Sequence, residues 1–330
     1  MLLLRAVEML RQRDVRASII LNDQAGELVD TRLARAAGID AGEVAGGCFC
    51  CRFSDFIRSA EALLASGPQV IFAEPVGSCA DLAATVLRPI ERLYGDRFRT
   101  APFTVLVDPE RARRLAAADA DPLLAYLFRQ QVAEADLVLL SKSDRESDGA
   151  LPAGIRGRRV SSVTGEGIAE WLDDVLRERP AANSPILDLD YERYAAAEAA
   201  LGWLNWRAVV STRKALTPAA VAGPFLAGLD YLLTEAGAEI FHMKLFVEAG
   251  AGRLKASVCR NGERPSVTGP LDAPPVRSHE LVLNLRAKAD PECLAGAVKT
   301  AAAVLPGRVS VQHATCFRPA PPQPEHEPER

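Results

Sequence analysis

Three thiols crowd into four positions at Cys48, Cys50 and Cys51, directly behind the pair Gly46-Gly47. Residues this close in sequence rarely reach disulfide geometry, so the sulfurs are poorly placed to oxidise in pairs. A thiophilic ion, by contrast, can collect them from one tight turn, and the two glycines let the backbone make it. Three sulfurs leave a fourth position for a distant side chain, a water or a partner protein, which suits a site that takes up a metal and gives it up. Three small buried apolar residues are the competing reading, but core packing does not ask for clustering. Thiol redox sensing through Cys50 and Cys51 lacks a resolving partner.

A second set of polar residues falls at the ends of apolar runs. Residues 69–73 have the pattern of a buried strand and deliver Glu74-Pro75-Val76-Gly77 into a loop. An acid at a strand tip with a glycine three later is the arrangement of a nucleotide-hydrolysing centre: the acid organises magnesium or water, and the glycine amide approaches a terminal phosphate. Glu74 as a plain helix cap is the competing reading. Residues 137–140 lead in the same way into Ser141-Lys142-Ser143-Asp144, and residues 159–162 lead into Val163-Thr164-Gly165-Glu166-Gly167. Asp144 can accept from the two N–H groups of guanine, the Lys142 stem can lie over the base, and amides near Ser161 and Ser162 can read its carbonyl oxygen. In order and at strand ends, the two loops read as base recognition.

The elements that position these groups alternate. Helical periodicity covers residues 2–12, 30–37, 53–64 and 168–175, with strand patterns at 17–21, 69–73, 103–108, 137–140 and 159–162. Alternation of this kind predicts an α/β domain with a mostly parallel sheet over residues 1–178. Residues 179–190 read as a linker. Beyond it, strands at 206–210, 239–248, 253–260, 280–286 and 309–315, with helices at 219–233 and 291–304, predict a smaller α+β domain over 191–318. The proline-rich tail, 319–330, is expected to be disordered. His242 reads as a satisfied sheet histidine, Trp203 and Trp206 as packing between domains, and Cys259, Cys293 and Cys316 as core.

Composition narrows the class. With a net charge of -4 and 25% charged residues, no basic field recruits nucleic acid or anionic lipid. Arg5 and Glu8 interrupt the apolar N-terminus and no stretch approaches a membrane span. Seven cysteines, an odd number, fit a reducing compartment, and the cytoplasm is the expected location.

The series formed by the polar turn Asn22 to Asp30, Gly-Gly-Cys-x-Cys-Cys at 46–51, Glu74-Pro75-Val76-Gly77, Ser141-Lys142-Ser143-Asp144 and residues 161–167 resembles the CobW-type metallochaperone GTPases of the CobW/HypB/UreG superfamily. The likeness covers most of residues 1–178, and the C-terminal domain fits more loosely. It implies a P-loop NTPase-like fold that binds GTP with Mg2+ and holds Zn2+, Co2+ or a similar transition metal at Cys48, Cys50 and Cys51. Hydrolysis would be coupled to metal transfer to a recipient metalloprotein, in cobalamin or metalloenzyme maturation. It makes Glu74, with Gly77, the catalytic strand-end pair, and Asp23, Glu27 or Asp30 the switch acids near magnesium. It leaves room for a homodimer.

Two departures qualify the likeness. The chain contains no Gly-x-x-Gly-x-Gly-Lys-Ser/Thr loop. Because residues 2–12 read as the helix that follows such a loop, the expectation is that the first strand and the loop lie upstream of Met1. Ser141 stands where the family has asparagine, which predicts looser guanine selectivity. Whether the chain is a GTPase is therefore open, and the alternative is a metal-binding or interaction protein on a degenerate GTPase scaffold.

Overall fold

A computed structural model of the chain describes every residue except 27, 146–150, 178–184, 251 and 328–330. It divides into two units: Met1–Gln24, Ala37–Ala197 and Pro321–Arg330 form the first, and Ala25–Ala36 with Glu198–Ala320 the second. The division departs from the expected boundaries in three places. Residues 25–36 go with the C-terminal residues, while residues 191–197 and the tail go with the N-terminal ones.

In chain order the first unit carries α1 (Leu2–Arg11) and β1 (Ala17–Asp23); after α2 (Val29–Ala36), which belongs to the second unit, come β2 (Ala41–Ala45), α3 (Phe53–Leu64) and β3 (Val70–Glu74). A π-helical stretch, Ala83–Leu87, runs into α4 (Arg88–Tyr94), followed by β4 (Thr104–Val107), α5 (Pro109–Ala116), α6 (Pro122–Glu134), β5 (Leu137–Leu140), β6 (Arg158–Arg159), α7 (Ile168–Leu176) and α8 (Tyr191–Ala199). The expected α/β class holds. The strands form two parallel three-stranded sheets, in the orders β2-β1-β3 and β4-β5-β6. Among the described residues, no ladder joins β3 to β4.

Helix α7 links the two sheets. The Trp171 ring stacks on Phe72 of β3, centroids 6.0 Å apart, while its Nε1 donates to Thr104 Oγ1 of β4 at 3.1 Å. Ala6 and Leu10 of α1 pack with Leu139, Ile168 and Leu172 in the same cluster. The expected strand at 159–162 shrinks to Arg158–Arg159, because Ser161 diverts the chain by taking the Val163 and Thr164 N–H groups. Of the expected linker, residues 179–184 lie outside the described residues. Residues 185–190 form neither helix nor strand, but Leu189 is buried against Tyr126 and Tyr194.

The second unit is one antiparallel sheet, built from β7 (Gly202–Leu216), β8 (Glu239–Ala249), β9 (Gly252–Val258), β10 (Ser266–Thr268), β11 (Val276–Lys288) and β12 (Arg308–Phe317) in the order β10-β9-β8-β11-β7-β12. Strand β11 shows the logic: Leu281, Leu283 and Leu285 pack in the main core with α9 (Pro218–Glu235) and α10 (Pro291–Ala303), and Val282 packs on the opposite face with Val29 of α2. Trp206, stacked on Phe225 at 5.4 Å, and Trp203, beneath the Arg286 guanidinium at 4.0 Å, are both buried and packed against residues of this same unit. Cys259 corrects the core expectation, since it is exposed just past the end of β9; Cys293 and Cys316 are half-buried. His242 is less well satisfied than expected. Its Nε2 is buried without a hydrogen-bond partner, and burial, with Lys244 and Arg286 nearby, holds the imidazole well below its usual pKa and so neutral.

Glu134, at the end of α6, is 1% exposed and accepts the Ala83 N–H at 2.6 Å, holding the start of the π-helical stretch. Burial raises its pKa to about 7, and the Asp81 carboxylate adds to the effect. A carboxyl raised above its unfolded value contributes stability that is complete below the unfolded pKa and lost as pH rises through the folded one. From about 4.5 to about 7, that loss is ~3 kcal/mol. Urea melts across this window should show stability falling with pH, and Glu134→Gln should flatten the slope.

Candidate metal centre

The cysteine turn joins the end of β2 to the start of α3. Gly46 has φ +82°, a left-handed conformation that glycine adopts freely. The Cys51 and Arg52 N–H groups bond back to the Cys48 carbonyl at 3.1 and 2.9 Å, so the chain coils tightly as it enters the helix. This places Cys48 Sγ 2.7 Å from Cys50 Sγ and 3.2 Å from Cys51 Sγ, with Cys50 and Cys51 3.8 Å apart. Cys48 and Cys50 are buried and Cys51 is half-buried.

The three sulfurs share protons unequally. Hydrogen bonding with Cys50, Cys51 and Cys79 pulls Cys48 far below the usual thiol pKa. Cys50, donating to Cys48 and buried, is pushed far up; Cys51, also bonded to Cys48, is pushed up to about 11. The amides opening α3 favour a negative charge at this place. The donor set fits a thiophilic divalent ion. Zinc–sulfur bonds of ~2.3 Å in a tetrahedron set sulfurs about 3.8 Å apart, which the Cys50–Cys51 edge already meets, and the two edges to Cys48 need to open by about 1 Å or less.

One buried side chain fixes this turn. Asn22, near the end of β1, donates from Nδ2 to the Val44 and Gly47 carbonyls at 2.9 and 2.7 Å, and its Oδ1 accepts the Val76 N–H at 3.4 Å. Val76 lies in the loop that leaves β3 through Glu74 and Gly77. Glu74 and Gly77 are both exposed there, and Gln131 of α6 braces the loop by donating to the Gly77 and Cys79 carbonyls at 3.0 and 2.9 Å. The loop after the strand-end acid and the cysteine turn therefore share a hydrogen-bonding partner.

The predicted base loops meet in part. Asp144 accepts a hydrogen bond from the hydroxyl of the fully buried Ser161, and Ser143 Oγ donates to Glu166 at 2.7 Å, so the two loops are joined. Lys142, with φ +61°, turns elsewhere: its Nζ meets Asp108 Oδ2 at 2.6 Å, the residue that caps α5. Ser141 donates from Oγ to the Val107 carbonyl at 3.1 Å, anchoring the loop to β4. Ser162 is half-buried, and the neighbouring Val163 is 73% exposed, an apolar surface beside the polar groups.

Residues 1–160 match the protein family described as CobW/HypB/UreG, nucleotide-binding domain. Those residues belong to that family. No curated protein matches the chain. Two solved structures are similar to it: a Zn(II)-bound triple mutant of the YjiA GTPase, 15% identical over 92% of this chain and 93% of that one with a TM-score of 0.32, and Zn(II)-bound YjiA GTPase from E. coli, 12% identical over 88% and 98% with a TM-score of 0.27.

Within the CobW-type region, the three expected switch acids part company. Asp23 ends β1 in the first unit. Glu27 lies outside the described residues. Asp30 belongs to the second unit, where its carboxylate meets Lys244 Nζ and, at 2.9 Å, Lys255 Nζ. Burial opposes its charge, but the two ammonium groups outweigh it and hold the carboxyl well below the usual carboxylate range. Asp30 is thus engaged in an ion-pair cluster with two lysines.

Two residues and one segment at the cysteine turn escaped the sequence reading. Asn22 was visible only as part of a polar turn, and nothing in the local pattern around Cys79 ties it to the turn. The third is the tail, expected to be disordered: the Gln323 N–H donates to Cys51 Sγ at 3.1 Å and the Glu325 N–H to the Cys50 carbonyl at 2.9 Å, so these residues lie on the cysteine turn.

Metal uptake must displace the protons of Cys50 and Cys51, both held above the ordinary thiol value. Apparent affinity is expected to rise about tenfold per pH unit for each proton displaced, as competition with a chromophoric chelator would measure. Asn22→Ala strands two buried carbonyls and one N–H. It should lower stability by ~1–3 kcal/mol in urea melts and weaken metal binding in the same chelator assay.

Proposed function

We propose that the protein is a metal chaperone or metal-insertion factor whose cargo, zinc, cobalt or a similar ion, is held at Cys48, Cys50 and Cys51, and whose CobW-type domain couples guanine-nucleotide binding to release. The observation that carries this reading is the thiol cluster, whose sulfurs all lie within 4.8 Å of one another on one glycine-hinged turn. GTP with Mg2+ is the nucleotide that family membership favours. Asp144 and Ser161 offer the polar edge for the base, with Ser162 and Val163 beside them, and the Lys142 stem can cover its face while Asp108 holds the ammonium. Glu74 and Gly77 take the strand-end role, and Asp23 is the switch acid that stands in the first unit. A nucleotide that reordered the β3 loop would pull on Val76 and, through Asn22, on the turn that carries the thiols. A recipient metalloprotein, in cobalamin or metalloenzyme maturation, would complete the transfer. Among the described residues no helix is long and apolar enough to cross a membrane, and the chaperone role fits the cytoplasm.

The second reading keeps the metal and drops the catalysis. Residues 1–330 hold no Gly-Lys-Ser/Thr loop, so the lysine and hydroxyl that grip phosphates and magnesium in P-loop proteins are not supplied by this stretch. Two measurements separate the readings. Cobalt titration should give thiolate-to-metal charge transfer that Cys50→Ala abolishes; an unchanged spectrum on adding cobalt to the parent chain would refute the cysteine site. Isothermal titration with GTP and Mg2+ should then show whether nucleotide shifts metal affinity. Binding of metal with no response to nucleotide would leave the scaffold reading in place.

A further inference from the structure

We propose that His326 is the fourth ligand of the ion held by Cys48, Cys50 and Cys51, delivered by a tail that lies on the cysteine turn; this rests on reading that turn as a metal centre. Four contacts seat the tail. The Gln323 N–H bonds Cys51 Sγ at 3.1 Å and the Glu325 N–H bonds the Cys50 carbonyl at 2.9 Å. The Glu325 carboxylate takes both the N–H of Ser54, at 3.0 Å, and its hydroxyl, at 2.6 Å, in the first turn of α3, where a negative charge is favoured. His326 then sets its ring edge-on to Phe53, centroids 4.6 Å apart, two residues beyond Cys51. Pro321, Pro322 and Pro324 stiffen the approach and lower the entropy lost on docking.

Chemistry favours this residue. Of the four histidines, His242, His279 and His313 belong to the second unit, and His326 is the imidazole of the first. Three cysteines and one histidine are a common tetrahedral donor set. Three thiolates on a divalent ion already carry a net charge of about -1, and a neutral imidazole completes the shell without adding to it, whereas a fourth thiolate, from Cys79, would bury a second negative charge. In the structure the imidazole rests on Phe53 outside the sulfur cluster. Its backbone is one residue from the anchored Glu325, so the ring needs only a local movement to reach an ion. The tail is then both ligand and cover: with His326 bound, Cys51, the most accessible of the three thiols, is shielded.

The test loads the full chain and His326→Ala with cobalt and reads X-ray absorption, visible spectra and metal affinity. The parent chain is expected to show three sulfur neighbours and one imidazole. The variant should keep thiolate charge transfer, lose the imidazole scattering and bind cobalt at least tenfold more weakly. Glu325→Ala, which releases the anchor at Ser54, should weaken binding in the same direction and speed alkylation of Cys51 in the loaded protein. Charge transfer with no imidazole signal in the parent chain, a four-sulfur shell, or unchanged affinity in His326→Ala would each overturn the assignment while leaving the cysteine site standing. An absence of charge transfer in the parent chain would remove the cysteine site and the proposal together.

Discussion

The first unit depends on one buried primary amide. Asn22 sits on the central strand of β2-β1-β3, opposite Val44 in the parallel register with β2. Its side chain reaches the exits of both neighbouring strands, the cysteine turn on one side and the β3 loop on the other. A buried amide that loses its partners costs about as much as it contributes when satisfied, and often more. The two exit loops therefore cannot shift independently: a change in the loop holding Glu74 and Gly77 either carries the Asn22 bond with it or breaks it. A mechanical link between the β3 loop and the thiol cluster needs no more than this, because the strands behind it are held in one sheet and Gly46 and Gly77 lie in the loops ahead of it.

Much of this was legible in the sequence because it is local. Cysteine spacing, the glycine pair and the apolar runs at 69–73 and 137–140 report on single turns and single strands, and the strands stand within one residue of where the pattern placed them. What was not legible is relational. β2 has the composition Ala-Gly-Glu-Val-Ala, which carries no strand propensity and forms only because β1 lies beside it. Lys142 reads as a base-covering residue from its distance to Asp144, yet Asp108, thirty-four positions away, captures its ammonium. The tail has the composition of a disordered segment, and its contacts are with residues some 270 positions earlier. No window of sequence contains both partners.

The placement of α2 shows the same limit. Its hydrophobic positions are few, and taken alone it belongs with the α/β elements around it. Val29 nevertheless packs with Phe246 and Val282, its N–H meets Asn284 Oδ1 at 2.9 Å, and Asp30 neutralises Lys244 and the almost fully buried Lys255. A charge cluster of this kind is poor evidence for net stability, since desolvation offsets attraction, but it is strong evidence for register: slipping α2 by one residue would carry the Asp30 carboxylate away from both lysines. The segment expected to carry switch acids is thus fixed by the second unit's sheet, which is information about topology and not about local pattern.

The thiol cluster is built so that its empty and loaded forms are both satisfied. Three thiolates packed this closely would repel one another, and the hydrogen bonding among Cys48, Cys50, Cys51 and Cys79 that lowers the Cys48 pKa works against this. A divalent ion held by Cys48, Cys50 and Cys51 would replace those protons with stronger bonds, at sulfur spacings wider than the present ones. Each proton returned to Cys50 or Cys51 lowers the free energy of letting the ion go, because the hydrogen-bonded form is ready to reform on the same backbone. A fully preorganised four-thiolate site would have no such alternative state and would hold its ion as structure. The short spacing and the half-buried Cys51 leave the sulfurs room to spread and one of them within reach of solvent.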